Sequence, residues 1–300
     1  QINSGEVVFF LGASGVGKST ILETLGLMNN TIFSNPKTVF NFHGKKSVEN
    51  MTKIWDKKES YLADFRKEHL SFIFQSTNLF PTLNAEDNVL LTPLLQGSSI
   101  DSAINKVRPI FKKIFQDEYL EILEDKGVQK NIFGIKYCKL IRGKKISEMS
   151  GGQRQRLAFV RAIASKYNIL LADEPTGNLD IGNTENLMYN LIEDIKSKKA
   201  TSVIVSHDIA LAIKHADKIV YIDKIVKKVI NNNPCKLKNA GKDIKYHHGL
   251  INDVNTYVRQ ENGGWSNQIS YENMEVPVID DLNLIKYFKE KIRQQNMHNA

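Results

Sequence analysis

Val7 to Leu11 is an unbroken apolar run that meets a glycine at its end. Ser71 to Phe74, Ile169 to Ala172, Thr201 to Val205 and Lys218 to Ile222 repeat the pattern: a short β-branched or aromatic stretch, then a polar residue. Short runs without alternation predict strands covered on both faces, as in parallel sheets. Thr38 to Phe42 alternates and predicts a further strand, closed by His43-Gly44. Between these runs the apolar positions fall at helical spacing. Ile21, Leu22 and Leu25 predict a helix over Thr20 to Leu27, and Ile54, Trp55, Leu62 and Phe65 predict one over Met51 to His69, with Trp55 a packing residue. Ala85 to Leu95 follows a cap near Asn84, and Ile100 to Leu123 reads as one or two helices broken near Pro109. Leu157, Val160, Ile163 and Ala164 give Arg154 to Ser165 an apolar face. Ile209 to His215 and Asp280 to Gln295 are the last helical stretches, the latter with Leu284, Ile285, Phe288 and Ile292 on one side. Strands alternating with helices predict an α/β fold with a mostly parallel sheet.

The polar residues that close the runs carry the chemistry. Gly12-Ala13-Ser14-Gly15-Val16-Gly17-Lys18-Ser19-Thr20 fits the phosphate-binding loop, and strand, glycine loop, helix is the order it needs. Its glycines let successive N–H groups turn toward phosphate oxygens, and the helix start adds partial positive charge. Lys18 can reach the outer phosphates and the Ser19 hydroxyl can ligate Mg²⁺. Gln75 ends a strand, where open α/β sheets bind ligands. Asp173 ends the Ile169 run, the place of a Mg²⁺-holding carboxylate, and Glu174 beside it is placed to orient or deprotonate an attacking water. His207 follows the Thr201 run and can donate to a phosphate oxygen. Ser150, Gly151, Gly152 and Gln153 open a helix with exposed N–H groups, which taken alone reads as an ordinary capped start.

Composition narrows the setting. Of 300 residues, 41% are hydrophobic and 25% charged, which suits a soluble chain with a real core. No apolar run approaches a membrane span, and no leader is visible. Cys138 and Cys235 lack metal spacing, which fits a reducing compartment and argues against zinc. The net charge is +8, and residues 224–250 hold seven lysines against one aspartate. That stretch reads as a solvated basic surface, with contact to anionic lipid or nucleic acid as the sharper alternative. Asn231-Asn232-Asn233-Pro234 reads as a boundary.

Taken together, GASGVGKST, FIFQ, MSGGQRQR, ILLADEPTGNLD and VSHD resemble the ATP-binding domain of ABC transporters over roughly residues 5 to 230. FIFQSTNLFPTLNAEDNV and LLADEPTGNLD resemble most the subfamily of lipoprotein-releasing, macrolide-efflux and cell-division ATPases. The resemblance implies a phosphate-loop NTPase fold with a mostly parallel core, a small antiparallel β-subdomain and a helical subdomain at about 84–166. Residues 1–232 would form the ATP-binding domain and 233–300 a C-terminal extension that matches no known pattern. ATP and Mg²⁺ are the implied ligands. Residues 12 to 20 would bind the phosphates; Ser19, Gln75 and Asp173 would serve the metal and water; Glu174 would be the general base and His207 the γ-phosphate contact. Ser150, Gly151, Gly152 and Gln153 of one chain would close on ATP held by a second, with Asp180 at that dimer contact.

The implied partners are a second copy and an integral membrane permease, on the cytoplasmic face of the membrane. The implied work is export or extraction. The alternative is a complex in which ATP gates a cell-wall or sensing event without transport. A soluble member acting on ribosomes or DNA is disfavoured, because this chain carries one phosphate loop and one signature. Met149 replaces the usual leucine, and Leu123 to Ile146 is longer and more basic than the family leads one to expect. None of Gln1 to Glu6 is aromatic, so the adenine-stacking side chain and a first strand are expected upstream of Gln1, and weak base preference is expected without them. For the late helix two readings stand: packing on its own domain, or docking a partner.

Overall fold

The computed structural model describes residues 1–32, 39–44, 48–115, 129–130, 136–137, 141–177, 179–228, 245–250, 256–267 and 279–297. Thr38, the end of the Ile100 to Leu123 stretch, Gly127, Gly134, both cysteines, Asn178 and the Asn231 to Pro234 boundary lie outside them. In chain order, the first elements are β1 (Val7–Leu11), α1 (Lys18–Leu25), β2 (Asn41–His43), β3 (Val48–Asn50), α2 (Glu59–His69), β4 (Leu70–Ile73), α3 (Ala85–Leu95) and α4 (Ile100–Phe115). Two short strands, β5 (Gln129–Lys130) and β6 (Lys136–Tyr137), precede α5 (Gly151–Ala164), β7 (Ile169–Asp173), α6 (Ile181–Lys198) and β8 (Thr201–Val205). The chain continues through α7 (Ile209–His215), β9 (Lys218–Tyr221), β10 (Asp223–Lys228), β11 (Lys245–Leu250), β12 (Thr256–Arg259), β13 (Trp265–Asn267) and α8 (Asp281–Met297). These elements gather into two interleaved units. One takes Gln1–Glu6 and Leu22–Ile204, the other Val7–Ile21 and Val205–Ala300, and the division falls inside α1.

In the first unit β4 and β7 pair in parallel, from Leu70↔Ile169 to Ile73↔Ala172, with β8 beside β7. Helix α5 packs on β4, α3 and α4, and its buried Leu157, Phe159, Val160 and Ile163 explain the apolar spacing. Gly26 sits where a Cβ would lie 2.4 Å from the Phe72 ring, so only glycine allows this approach. The helix expected over Met51 to His69 is instead a 3-10 turn, Ile54–Asp56, followed by α2, with Lys57 and Lys58 extended between them. The break lets Met51 and Ile54 join Leu27, Phe65 and Leu70 in one buried cluster. Over it lies the small antiparallel pair β2–β3, whose Phe42 meets the Phe65 ring edge-on at 5.1 Å. No break occurs at Pro109: α4 runs unbroken through it. Burial of Ala103, Val107, Phe111, Ile114 and Phe115 along one stripe outweighs the lost backbone hydrogen bond.

In the second unit β1 pairs in parallel with β9, β9 antiparallel with β12, and β12 antiparallel with β13. Gly263 and Gly264 lie in the turn of this last hairpin, with Gly263 at φ 85°. Trp265 is wholly buried; its indole N–H donates to Asp281 Oδ1 at 2.8 Å, and the Arg259 guanidinium lies 4.5 Å over its ring. Leu284 and Phe288 of α8 are likewise buried, and Phe288 stacks on Tyr221 with centroids 5.4 Å apart. The apolar side of this late helix is therefore packed within its own unit. The lysine-rich stretch supplies the antiparallel pair β10–β11.

Candidate functional site

In the second unit, the phosphate loop leaves β1 under tight backbone control. Phe10 O accepts from Ser206 N at 3.3 Å and Leu11 O from Ile222 N at 2.8 Å. A Cβ on Gly12, at φ 151°, would stand 2.6 Å from Ile222 O, so this glycine is fixed by contact. Gly15 and Gly17 also have positive φ, 73° and 97°, but a Cβ there would meet nothing within 4 Å. They serve the turn. Among the described residues no acceptor pairs with the amides of Gly15, Val16 and Gly17. Lys18 is buried, and its ammonium donates to Gly12 O and Ala13 O, each at 2.9 Å, so it curls over the loop. Ser14, Ser19 and Thr20 are exposed. Unpaired amides, a helix start and a cation form a cradle for an anion with several oxygens. His207 belongs to the same unit, exposed just past β8, where Asp208 N donates to Ser206 Oγ at 3.0 Å.

The first unit holds the remaining residues. Because β4 and β7 run parallel with Ile73 opposite Ala172, Gln75 and the Asp173-Glu174 pair leave the sheet at the same edge. Gln75 is exposed, and both acids are half-buried. Glu174 has φ 47°, a left-handed conformation that a non-glycine residue adopts only under constraint. The constraint is Gln155 of α5, which is buried and donates from Nε2 to Glu174 O at 3.2 Å and Pro175 O at 2.8 Å. Ser150 caps α5: its Oγ accepts from Gln153 N at 3.1 Å while Gln153 Oε1 accepts from Ser150 N at 3.0 Å. This capping box commits the two polar side chains and leaves Gly151 exposed between them. Asp180 caps α6 by accepting from Asn183 N and Nδ2, and these bonds hold its carboxyl below the usual aspartate range.

In the second unit the Ser19 hydroxyl, and in the first the Gln75 amide and Asp173 carboxylate oxygens, are each hard donors of the kind Mg²⁺ takes. Among the described residues no group of three or more His, Cys, Asp or Glu side chains stands together.

Three contributors escaped the sequence. Gln155 is one; its sign was a polar residue one turn before Ala158 and Phe159 on an apolar face. Arg161, also on α5, donates to Asn78 O at 2.6 Å and Thr77 O at 2.9 Å, and burial pushes its guanidinium pKa down. Asn88 of α3 accepts from Phe80 N at 2.7 Å and donates to Phe80 O at 3.1 Å. Together they pin the loop after Gln75. Phe80 stays exposed, while Leu79 and Leu83 are half-buried. A groove of about 380 Å³ opens beside it, lined by Phe72, Phe74, Phe80, Leu91, Leu95 and Arg161.

Known proteins resemble this chain over most of its length. The family model described as "ABC transporter" matches residues 1–177. The bacitracin export ATP-binding protein BceA of Halalkalibacterium halodurans is 31% identical over 85% of this chain and 87% of its own length. The lipoprotein-releasing system ATP-binding protein LolD of Bacteroides fragilis is 32% identical over 74% of this chain and 87% of its own. Among solved structures, the dimeric bacterial ABC transporter cassette MJ0796 superposes with a TM-score of 0.57 at 28% identity, covering 74% of this chain and 82% of that one. The same cassette as a post-hydrolysis dimer bound to ADP and Pi gives the same values.

Proposed function

The chain belongs to the ABC transporter family, and we propose that it is the ATP-hydrolysing subunit of a membrane export or extraction complex. The observation that carries this reading is the phosphate loop, open at Gly15, Val16 and Gly17 and overlaid by Lys18. Residues 12 to 20 hold the phosphates of ATP. Ser19, Gln75 and Asp173 offer oxygens to Mg²⁺, which when bound neutralises charge on the transferred phosphoryl group. Glu174 is the general base for the attacking water, and His207 donates to a γ-phosphate oxygen. Ser150 to Gln153 of one copy close on ATP held by a second copy, with Asp180 at their contact. The capping box supports this, because it spends the side chains of Ser150 and Gln153 on the helix start and presents the glycine backbone.

ATP thus closes a homodimer and hydrolysis releases it. The motion passes to an integral membrane permease seated in the groove beside Phe80. No described helix is long and apolar enough to cross a membrane, and we place the subunit in the cytoplasm, on the inner face of the membrane beside that permease. Residues 1–232 form the ATP-binding domain, with its helical subdomain at about 84–166, and residues 233–300 an appended segment. The relatives' names cite bacitracin export and lipoprotein release, which supports reading the work as export or extraction.

Glu174→Gln tests the reading. It keeps ATP and Mg²⁺ binding, loses about 10² to 10⁴-fold in turnover, and leaves a stable ATP-bound dimer. Hydrolysis at the wild-type rate would remove Glu174 from the role.

A further inference from the structure

Glu86, the second residue of α3, is fully buried. Its Oε1 accepts from Arg108 Nε and from Arg142 Nη1, each at 3.1 Å. Arg108 comes from α4. Arg142 lies in the 3-10 turn Ile141–Gly143, where the chain approaches the signature. A carboxylate is rarely buried unless paired, and an apolar side chain at its place would pack at lower cost. What the pair adds is direction: two planar forks, one on a helix and one on a connecting segment, converge on a single oxygen.

The neighbouring backbone shows what is being directed. Ala85 N donates to Lys144 O at 2.9 Å, and Asn84 forms an antiparallel bridge with Lys145. Lys145 N donates to Glu148 Oε2 at 3.1 Å, and Glu148 N returns to Lys145 O at 3.0 Å. Ile146 and Met149 are buried beneath this turn, Arg154 Nη1 donates to Met149 O at 3.0 Å, and Ser150 follows at once. Residues 142–149 are thus seated on the N-terminus of α3, and their exit sets where Ser150 to Gln153 begin.

We propose that Glu86 is a positioning residue for the signature: through Arg142 it fixes the approach segment and so aims the Gly151-Gly152 backbone at nucleotide. This rests on the reading that Ser150 to Gln153 close on ATP held by a second copy. The alpha carbon trace need not unravel for the effect to be large, since a displacement of about 1 Å at a group that completes a site can cost about 10²-fold in rate.

The experiment compares Glu86→Gln, Arg142→Gln and Arg142→Lys, each alone and with Glu174→Gln. The readouts are monomer binding of a fluorescent ATP analogue, ATP-dependent dimerisation by size-exclusion chromatography, and kcat with KM. Arg142→Gln and Glu86→Gln should bind nucleotide as monomers like the parent, fail to dimerise, and lose about 10²-fold in kcat. Arg142→Lys, which keeps a charge in reach of the carboxylate, should recover part of both. Should Glu86→Gln fail to fold, Arg142→Gln carries the test, because it leaves Glu86 paired with Arg108. A Glu174→Gln parent that stays monomeric with ATP overturns the shared-site reading and this one with it. A parent that dimerises alongside an Arg142→Gln variant that dimerises equally overturns this one alone. Loss of monomer binding in step with dimerisation also overturns it, since that is the mark of a purely structural role.

Discussion

Replacing Gln155 by methionine removes both hydrogen bonds to the turn at Glu174 and almost no volume. In the native chain its Nε2 serves Glu174 O at 3.2 Å and Pro175 O at 2.8 Å from a side chain that is 1% exposed. Two such bonds contribute about 1–3 kcal/mol net. The left-handed Glu174, at φ 47°, costs about 1–3 kcal/mol to hold in that conformation. The two quantities are of the same size, so without Gln155 the turn is no longer over-determined and Glu174 relaxes toward right-handed geometry. Its carboxylate then swings away from the water it is proposed to activate. A shift of about 1 Å at a catalytic group costs about 10²-fold, which at 1.36 kcal/mol per tenfold is about 2.7 kcal/mol of barrier. Steady-state ATPase kinetics and thermal melting check this together. Gln155→Met should lower kcat by that factor with little change in KM and only a modest loss of melting temperature. A variant that melts earlier yet keeps the wild-type kcat would refute the argument, for it would show that Gln155 supports the fold and not the base.

Other sites give shorter tests. Phe80→Asp replaces an exposed ring of the groove with a charge; ATPase activity of the isolated subunit should persist while co-purification with its membrane permease falls. Phe288→Ala removes a ring stacked on Tyr221 and set edge-on to Tyr257 at 5.2 Å; it should cost about 3–5 kcal/mol in denaturant unfolding, and an unchanged midpoint would mean α8 is dispensable to its unit. Asp180 is held below the usual aspartate range by its bonds to Asn183, so its cap on α6 is complete above the ordinary aspartate pKa and is lost as pH falls through the depressed value. An NMR titration should show that depressed midpoint, and Asn183→Ala, which keeps the backbone bond and removes the side-chain one, should move it only part of the way up.

The candidate residues were legible because each stands at the boundary of an element whose period is plain. Lys18, Gln75, Asp173 and His207 all follow apolar runs, and the strands at Ile169 and Thr201 stand where the runs predict. Helix interiors were less legible. Pro109 looked like a break, but a buried stripe over five positions overrode it. Met51 to His69 looked like one helix, because the period survives a turn that the side chains of Ile54 and Met51 require. Gln155, Arg161 and Glu86 each act through a pair of long-range hydrogen bonds, which leave no periodic trace. The strands β12 and β13 were missed for a related reason: Trp265 and Tyr257 are lone large residues whose burial depends on α8, far along the chain.

The pairing of β1 with β9 sets a timetable for synthesis. Val7 N reaches Asp217 Oδ2 across 210 residues, and Gly12 is wedged against Ile222 O. A ribosome adding about 5–20 residues per second therefore needs roughly ten to forty seconds to deliver the strand that completes the loop's seat. For that interval an all-apolar pentapeptide waits without its parallel neighbour, a segment prone to wrong pairing. Contacts of such long sequence separation also slow folding once the chain is free. The nucleotide motif is thus translated well before the segment that lets it become competent. A nascent chain stalled short of Ile222 should carry the full glycine loop and still not retain ATP.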